Sequence, residues 1–85
     1  MDKYEETKKI LNDMASVKMA MNSHKGNIED KPDTGILAML RGEVAELREA
    51  VAKGDLMDIL QEAADVQNFL LAIVHQQIQQ YRGRK

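Results

Sequence analysis

Asp55-Leu56-Met57-Asp58-Ile59-Leu60-Gln61-Glu62-Ala63-Ala64-Asp65-Val66-Gln67-Asn68-Phe69-Leu70-Leu71-Ala72-Ile73-Val74 is the most strongly patterned stretch of the 85 residues. Leu56, Ile59, Leu60, Ala63, Val66, Leu70, Ile73 and Val74 step by threes and fours, the period of an amphipathic helix. Asp55 suits the N-cap, and Asp58 favours the positive end of the same helix. The pattern runs on to about Tyr81, which makes a helix on the order of 40 Å long at 1.5 Å per residue.

Upstream, Leu37, Leu40, Val44, Leu47 and Val51 repeat the helical step. Lys53-Gly54 suits the C-terminus of that helix, and Asp33 or Thr34 its N-cap. The only proline, Pro32, closes the turn-rich stretch 26–33, which reads as a loop. Before it, Tyr4, Leu11, Met14, Val17 and Met21 mark a first helix over about 3–24. The expected fold is all-α: one domain over 1–85, an antiparallel bundle of about three helices. The apolar face of the third helix is too wide for one short partner helix to cover, so the bundle is expected to be completed by homo-oligomerisation, as a dimer or tetramer.

Composition agrees. Ala, Leu, Met, Gln, Glu, Lys and Arg, the strong helix formers, make up 48 of the 85 residues. No cysteine is present, which removes disulfides and thiolate metal sites. Twelve basic residues against fourteen acidic give a net charge of −2, and one Phe and two Tyr form no stacking platform. Nucleic acid is therefore not an expected partner. The longest apolar run, Phe69–Val74, falls far short of the roughly 20 residues that span a bilayer. No membrane partner is expected, and without a signal-peptide pattern at Met1–Glu6 the expected location is cytoplasmic. Arg82, Arg84 and Lys85 form a short basic tail over 82–85 that complements the helix dipole.

The acids carry the functional information. At about 100° per residue, Ile59, Val66, Phe69 and Ile73 all fall within about 60° of Glu62. Ile36, Met39, Leu47 and Ala50 fall within about 40° of Glu43 on the same reckoning. Each helix thus sets two acids three apart, Glu43/Glu46 and Glu62/Asp65, at the border of its apolar face. Carboxylates at a partly buried face need neutralising. Hard divalent cations do this through oxygen ligands, with Mg²⁺ also sharing phosphate oxygens of a substrate and Mn²⁺ as substitute. A bland alternative stands beside this: acid pairs at i, i+3 are common on solvated helix edges, and Arg41 and Arg48 can pair with those of the second helix. No Glu-x-x-His motif is present, which counts against a di-iron bundle.

Glu43-x-x-Glu46 and Glu62-x-x-Asp65, separated by fifteen residues, resemble the ExxE…ExxD signature of the MazG-like all-α nucleoside triphosphate pyrophosphohydrolases. Arg41-Gly42-Glu43-Val44-Ala45-Glu46-Leu47 and Glu62-Ala63-Ala64-Asp65-Val66-Gln67-Asn68-Phe69 are similar in local wording too. Met21-Asn22-Ser23-His24-Lys25-Gly26 is similar to the Asn-x-His-Lys-Gly segment of short, phage-type members that include dATP/dGTP diphosphohydrolases. That subset continues Gly-Gly-Trp, where Gly26-Asn27-Ile28 follows here.

The resemblance implies a Mg²⁺-dependent cleavage between the α and β phosphates of a (deoxy)nucleoside triphosphate, giving a monophosphate and pyrophosphate. It implies that Glu43, Glu46, Glu62 and Asp65 hold the metal, with Glu46 the candidate general base on the open side of its helix. Asn22, His24 and Lys25 are the implied substrate contacts; Lys18, near Asn22 and Lys25 on the helical wheel, and Asn68, on the same face as Asp65, are weaker candidates. Asn68 can equally be a surface amide, and Asp58 a fifth ligand or only a helix-end charge. The competing reading is a non-catalytic helical protein that dimerises or senses nucleotides. An interaction module, however, has no use for acids at a core border.

Overall fold

The computed structural model describes residues 2–23 and 32–84. Three helices make up the fold: α1 over Glu5–Met21, α2 over Asp33–Lys53 and α3 over Leu56–Gly83. Among the described residues there is no strand. The all-α expectation holds, with α1 shorter at both ends than its apolar pattern suggests and α3 two residues longer.

The α2–α3 connection follows from local chemistry. Gly54 adopts φ 77°, the left-handed conformation that glycine enters without steric cost, and its N–H donates to the carbonyls of Ala50 and Val51. Asp55 then caps α3 as expected, its carboxylate accepting from the N–H groups of Met57 at 3.0 Å and Asp58 at 3.3 Å. Two residues are enough to reverse the chain, so α2 and α3 are antiparallel neighbours.

The start of α2 differs from expectation. Asp33 is already the first helical residue, and Pro32 stands at the N-cap in an extended conformation without a side-chain cap bond. A proline just before the first turn is compatible with its fixed φ, and its carbonyl accepts from Ile36 N–H at 3.0 Å. At the start of α1, Asp2 accepts from Tyr4 N–H at 2.8 Å and pairs with Lys8.

Both α1 and α2 pack along α3, and among the described residues they do not pack on each other. The contacts Lys18–Asp65 and Asn68–Ala15 run in opposite sense along the two helices, so α1 is antiparallel to α3 as well. The buried apolar set among the described residues is Ala15, Ile36, Ala50, Ala64, Phe69 and Ala72. Four of these six are alanines, so the helices meet through small side chains and approach closely, with Ile36 and Phe69 filling the remaining space.

Helix rotation is where the structure adds to the pattern. α2 turns Ile36, Glu43 and Ala50, one seam at a step of seven, toward α3. The parallel seam Leu37, Val44 and Val51 lies on the exposed side. On α1, Ile10, Val17 and Met21 are also exposed, as are Leu70, Leu71, Val74 and Ile78 on α3. A large part of the apolar pattern is thus not covered within one chain. No helix among the described residues is long and apolar enough to cross a membrane.

Candidate metal centre

Glu43 comes from the α2 seam that faces α3, and Glu62 and Asp65 come from the α3 face that receives it. The result is a cluster in which one carboxylate oxygen of each residue lies within 4.8 Å of those of the other two. All three residues are half-buried. One oxygen of Glu43 and one of Glu62, Oε2 in each case, are fully shielded and accept no hydrogen bond.

Such an arrangement is costly when empty of counter-charge. At an effective dielectric of about 20, each ionised pair at this separation repels by at least about 3 kcal/mol. The titration behaviour follows. Burial, then the charges of Glu46 and Asp65 and the approach of the Glu46 carboxylate, push Glu43 up to about 7. Burial, the nearby Glu46 carboxylate and Asp65 also raise Glu62, while the charge of Lys18 works in the opposite direction. Glu43 is therefore partly protonated near neutrality unless a cation replaces the proton.

Glu46 lies one helical step to the side, on the exposed flank of α2. It is not within the tight trio, yet it approaches both Glu43 and Glu62. It also lines a cleft of about 180 Å³ between the end of α2 and the start of α3, together with Glu49, Ala50, Lys53, Asp58 and Glu62. Asp58 lines this cleft and is not one of the three residues whose carboxylate oxygens converge. Glu49, three residues after Glu46 and so beside it on α2, lines the same cleft; that i, i+3 spacing is its signal in the sequence.

Of the expected substrate contacts, Lys18 reaches the cluster directly. Its ammonium stands 3.5 Å from Asp65 Oδ2, both side chains being less than one-fifth exposed. Asn22 is half-buried one turn beyond Lys18, at the C-cap of α1. His24 and Lys25 lie outside the described residues. Asn68 is only 5% exposed, which removes the surface-amide alternative. Its amide nitrogen donates to the carbonyl of Ala15 at 2.9 Å, so it holds α1 against α3, and its Oδ1 is buried without a partner. Arg41 and Arg48 make no ion pair with Glu43 or Glu46, so the neutralisation by arginine that the sequence allowed is not made.

The donor set fits a hard divalent cation. It offers only carboxylate oxygens, two of them shielded and unsatisfied, at a separation a single ion can bridge. Among the described residues no histidine joins it, and the chain has no cysteine, so the described donor set suits oxygen-seeking cations rather than softer transition metals.

A family model described as phosphoribosyl-ATP pyrophosphohydrolase matches residues 9–79, a span that includes every member of the acid cluster and parts of all three helices. No curated protein and no solved structure matches the chain.

Proposed function

The chain belongs to the phosphoribosyl-ATP pyrophosphohydrolase family, within the MazG-like all-α nucleotide pyrophosphohydrolases, and from that premise we propose that it is a Mg²⁺-dependent hydrolase of nucleoside triphosphates, a dNTP first among them. Pyrophosphohydrolysis of a nucleotide is what the family does. The single observation that carries the reading to this chain is the half-buried trio Glu43, Glu62 and Asp65 with two unsatisfied oxygens.

In this reading Glu43, Glu62 and Asp65 hold Mg²⁺, and Glu46 completes the set from the exposed flank of α2. A bound divalent ion neutralises triphosphate charge and lowers the pKa of an attacking water. Glu46, the most open of the four, accepts the proton of that water. Water adds across the bridge between the α and β phosphates; that P–O bond breaks and pyrophosphate leaves, with a nucleoside monophosphate as the second product. Lys18 and Asn22 approach from α1 and its C-cap to bind the polyphosphate and the nucleoside, and His24 and Lys25 are proposed to share that role. Asn68 contributes by fixing α1 on α3.

The same reading includes a homo-oligomer. The exposed seam of Leu37, Val44 and Val51, with Ile10 and Val17 on α1, supports it, since aliphatic rows at helical spacing gain free energy by leaving water.

The test is a panel of the eight common NTPs and dNTPs plus phosphoribosyl-ATP, with Mg²⁺, scored for pyrophosphate and monophosphate. Release from one or more dNTPs supports the proposal. Release from phosphoribosyl-ATP alone moves the substrate to the one named in the family description. No pyrophosphate from any of the nine overturns the triphosphate reading.

A further inference from the structure

The Lys18 ammonium is the only cationic group within ion-pair distance of the acid trio among the described residues. The contact is unlike the other ion pairs of the chain. Lys8–Asp2 and Lys9–Asp13 are exposed and lie within one segment of α1 and its cap. Lys18–Asp65 joins two helices and is largely shielded, with side chains 18% and 17% exposed. Its register is set by a neighbouring contact: Asn68 and Ala15 each lie three residues from the pair, and their hydrogen bond fixes the height of α1 on α3.

We infer that Lys18 is the resident counter-cation of the acid cluster, seated against Asp65 when no divalent ion is bound and displaced when one arrives. The inference rests on the metal-centre reading above. An ammonium has three donors and no lone pair, so it satisfies a carboxylate but cannot share a coordination sphere. A divalent ion bound by the trio takes the same Asp65 carboxylate, and two cations that close repel. The lysine can yield because its charge sits on a flexible four-carbon stem, and the side chain is not completely closed off from water. The arrangement gives the metal-free chain one compensating charge where three carboxylates converge, and it sets that charge against the ion that replaces it.

The consequence is a pair of opposed effects at one residue. Removing the ammonium weakens the metal-free fold, because the cluster loses its counter-charge. It also strengthens divalent-ion binding, because the competitor has gone. A lysine that served only to pack α1 on α3 would lower stability equally with and without the ion, and would not tighten the ion.

The experiment compares wild type, Lys18→Met, Lys18→Gln and Lys18→Arg by thermal melting in EDTA and in saturating Mn²⁺. Mn²⁺ affinity is measured directly, by titration of the nucleotide-free protein. The expected result is a lower melting temperature for Lys18→Met in EDTA, a gap that closes in Mn²⁺, and Mn²⁺ binding tightened by about tenfold. Lys18→Gln, which keeps a polar head, gives the same pattern if the methionine variant fails to fold, and Lys18→Arg stays near wild type. A folded neutral variant that binds Mn²⁺ no more tightly than a Mn²⁺-binding wild type overturns the inference and leaves the metal centre standing. A wild type that binds no Mn²⁺ overturns both.

Discussion

Asn68 on α3 donates its side-chain amide to the backbone carbonyl of Ala15 on α1 at 2.9 Å, in an environment closed to water. The bond works because Ala15 is small: a larger residue there would hold the helices apart. It joins elements 53 positions apart and lies one helical step from the Lys18–Asp65 pair. Asn68→Ala removes the donor and leaves a small void. The expected cost is about 1–3 kcal/mol in urea unfolding. Asn68→Asp is expected to cost more at neutral pH, where a carboxylate would face a carbonyl. Equal stability of the two variants would show that the hydrogen bond is not what holds α1.

Gly54 is the second local test. Its φ of 77° is left-handed, and a Cβ added there would meet nothing within 4 Å. The penalty of Gly54→Ala is therefore one of backbone conformation alone, about 1–2 kcal/mol. Chemical denaturation should show that loss with metal binding unchanged. An unchanged midpoint would mean that the left-handed turn is not required.

The acid cluster makes a pH prediction with a definite sign. Glu43 is raised to about 7 in the folded chain, against an ordinary value near 4.5. Between those values the native state holds a proton that the unfolded state has lost, so unfolding free energy falls as pH rises through that window. Metal-free protein is thus expected to be more stable at pH 5 than at pH 8. Glu43→Gln should flatten that part of the profile. Urea titrations in EDTA across pH 5–8 are the measurement; metal-free stability that climbs with pH over this range would contradict the assigned shift.

Divalent ions should reverse the trend, because they bind the deprotonated cluster. A ligand at a hundred times its Kd adds about 2.7 kcal/mol to native stability. Mg²⁺ and Mn²⁺ are expected to raise the melting temperature and support pyrophosphate release, and EDTA to abolish release. Ca²⁺, which prefers longer bonds and more ligands, is expected to bind and inhibit. Full turnover in EDTA would end the metal mechanism.

Glu62→Gln separates stability from catalysis. The amide keeps the shape, removes one of the mutually repelling charges and should leave the metal-free fold equal or more stable. Turnover should fall by more than about a hundredfold, since loss of a direct ligand exceeds the effect of losing an outer one. Circular dichroism melting and pyrophosphate release, run side by side, decide it. Near-wild-type activity would place Glu62 outside the metal site.

The parts of this protein legible in its sequence are those decided within a few residues. Gly54 and Asp55 announce the turn, because a left-handed glycine and a capping carboxylate act on their own neighbours. The acid pairs were visible for the same reason: a step of three fixes two side chains side by side on any helix. The rotation of each helix about its own axis was not legible to that degree. Two apolar seams run along α2, and only packing against α3 decided that Ile36, Glu43 and Ala50 turn inward while Leu37, Val44 and Val51 stay exposed. The alanine-lined approach of the helices favours the seam with the smaller footprint at Ala50. The burial of Asn68 and the arrival of Lys18 at Asp65 likewise depend on the height at which α1 docks. A helical period defines angles within one helix. The placement of one helix against another is set by the shapes of both surfaces, and those meet only in the folded chain.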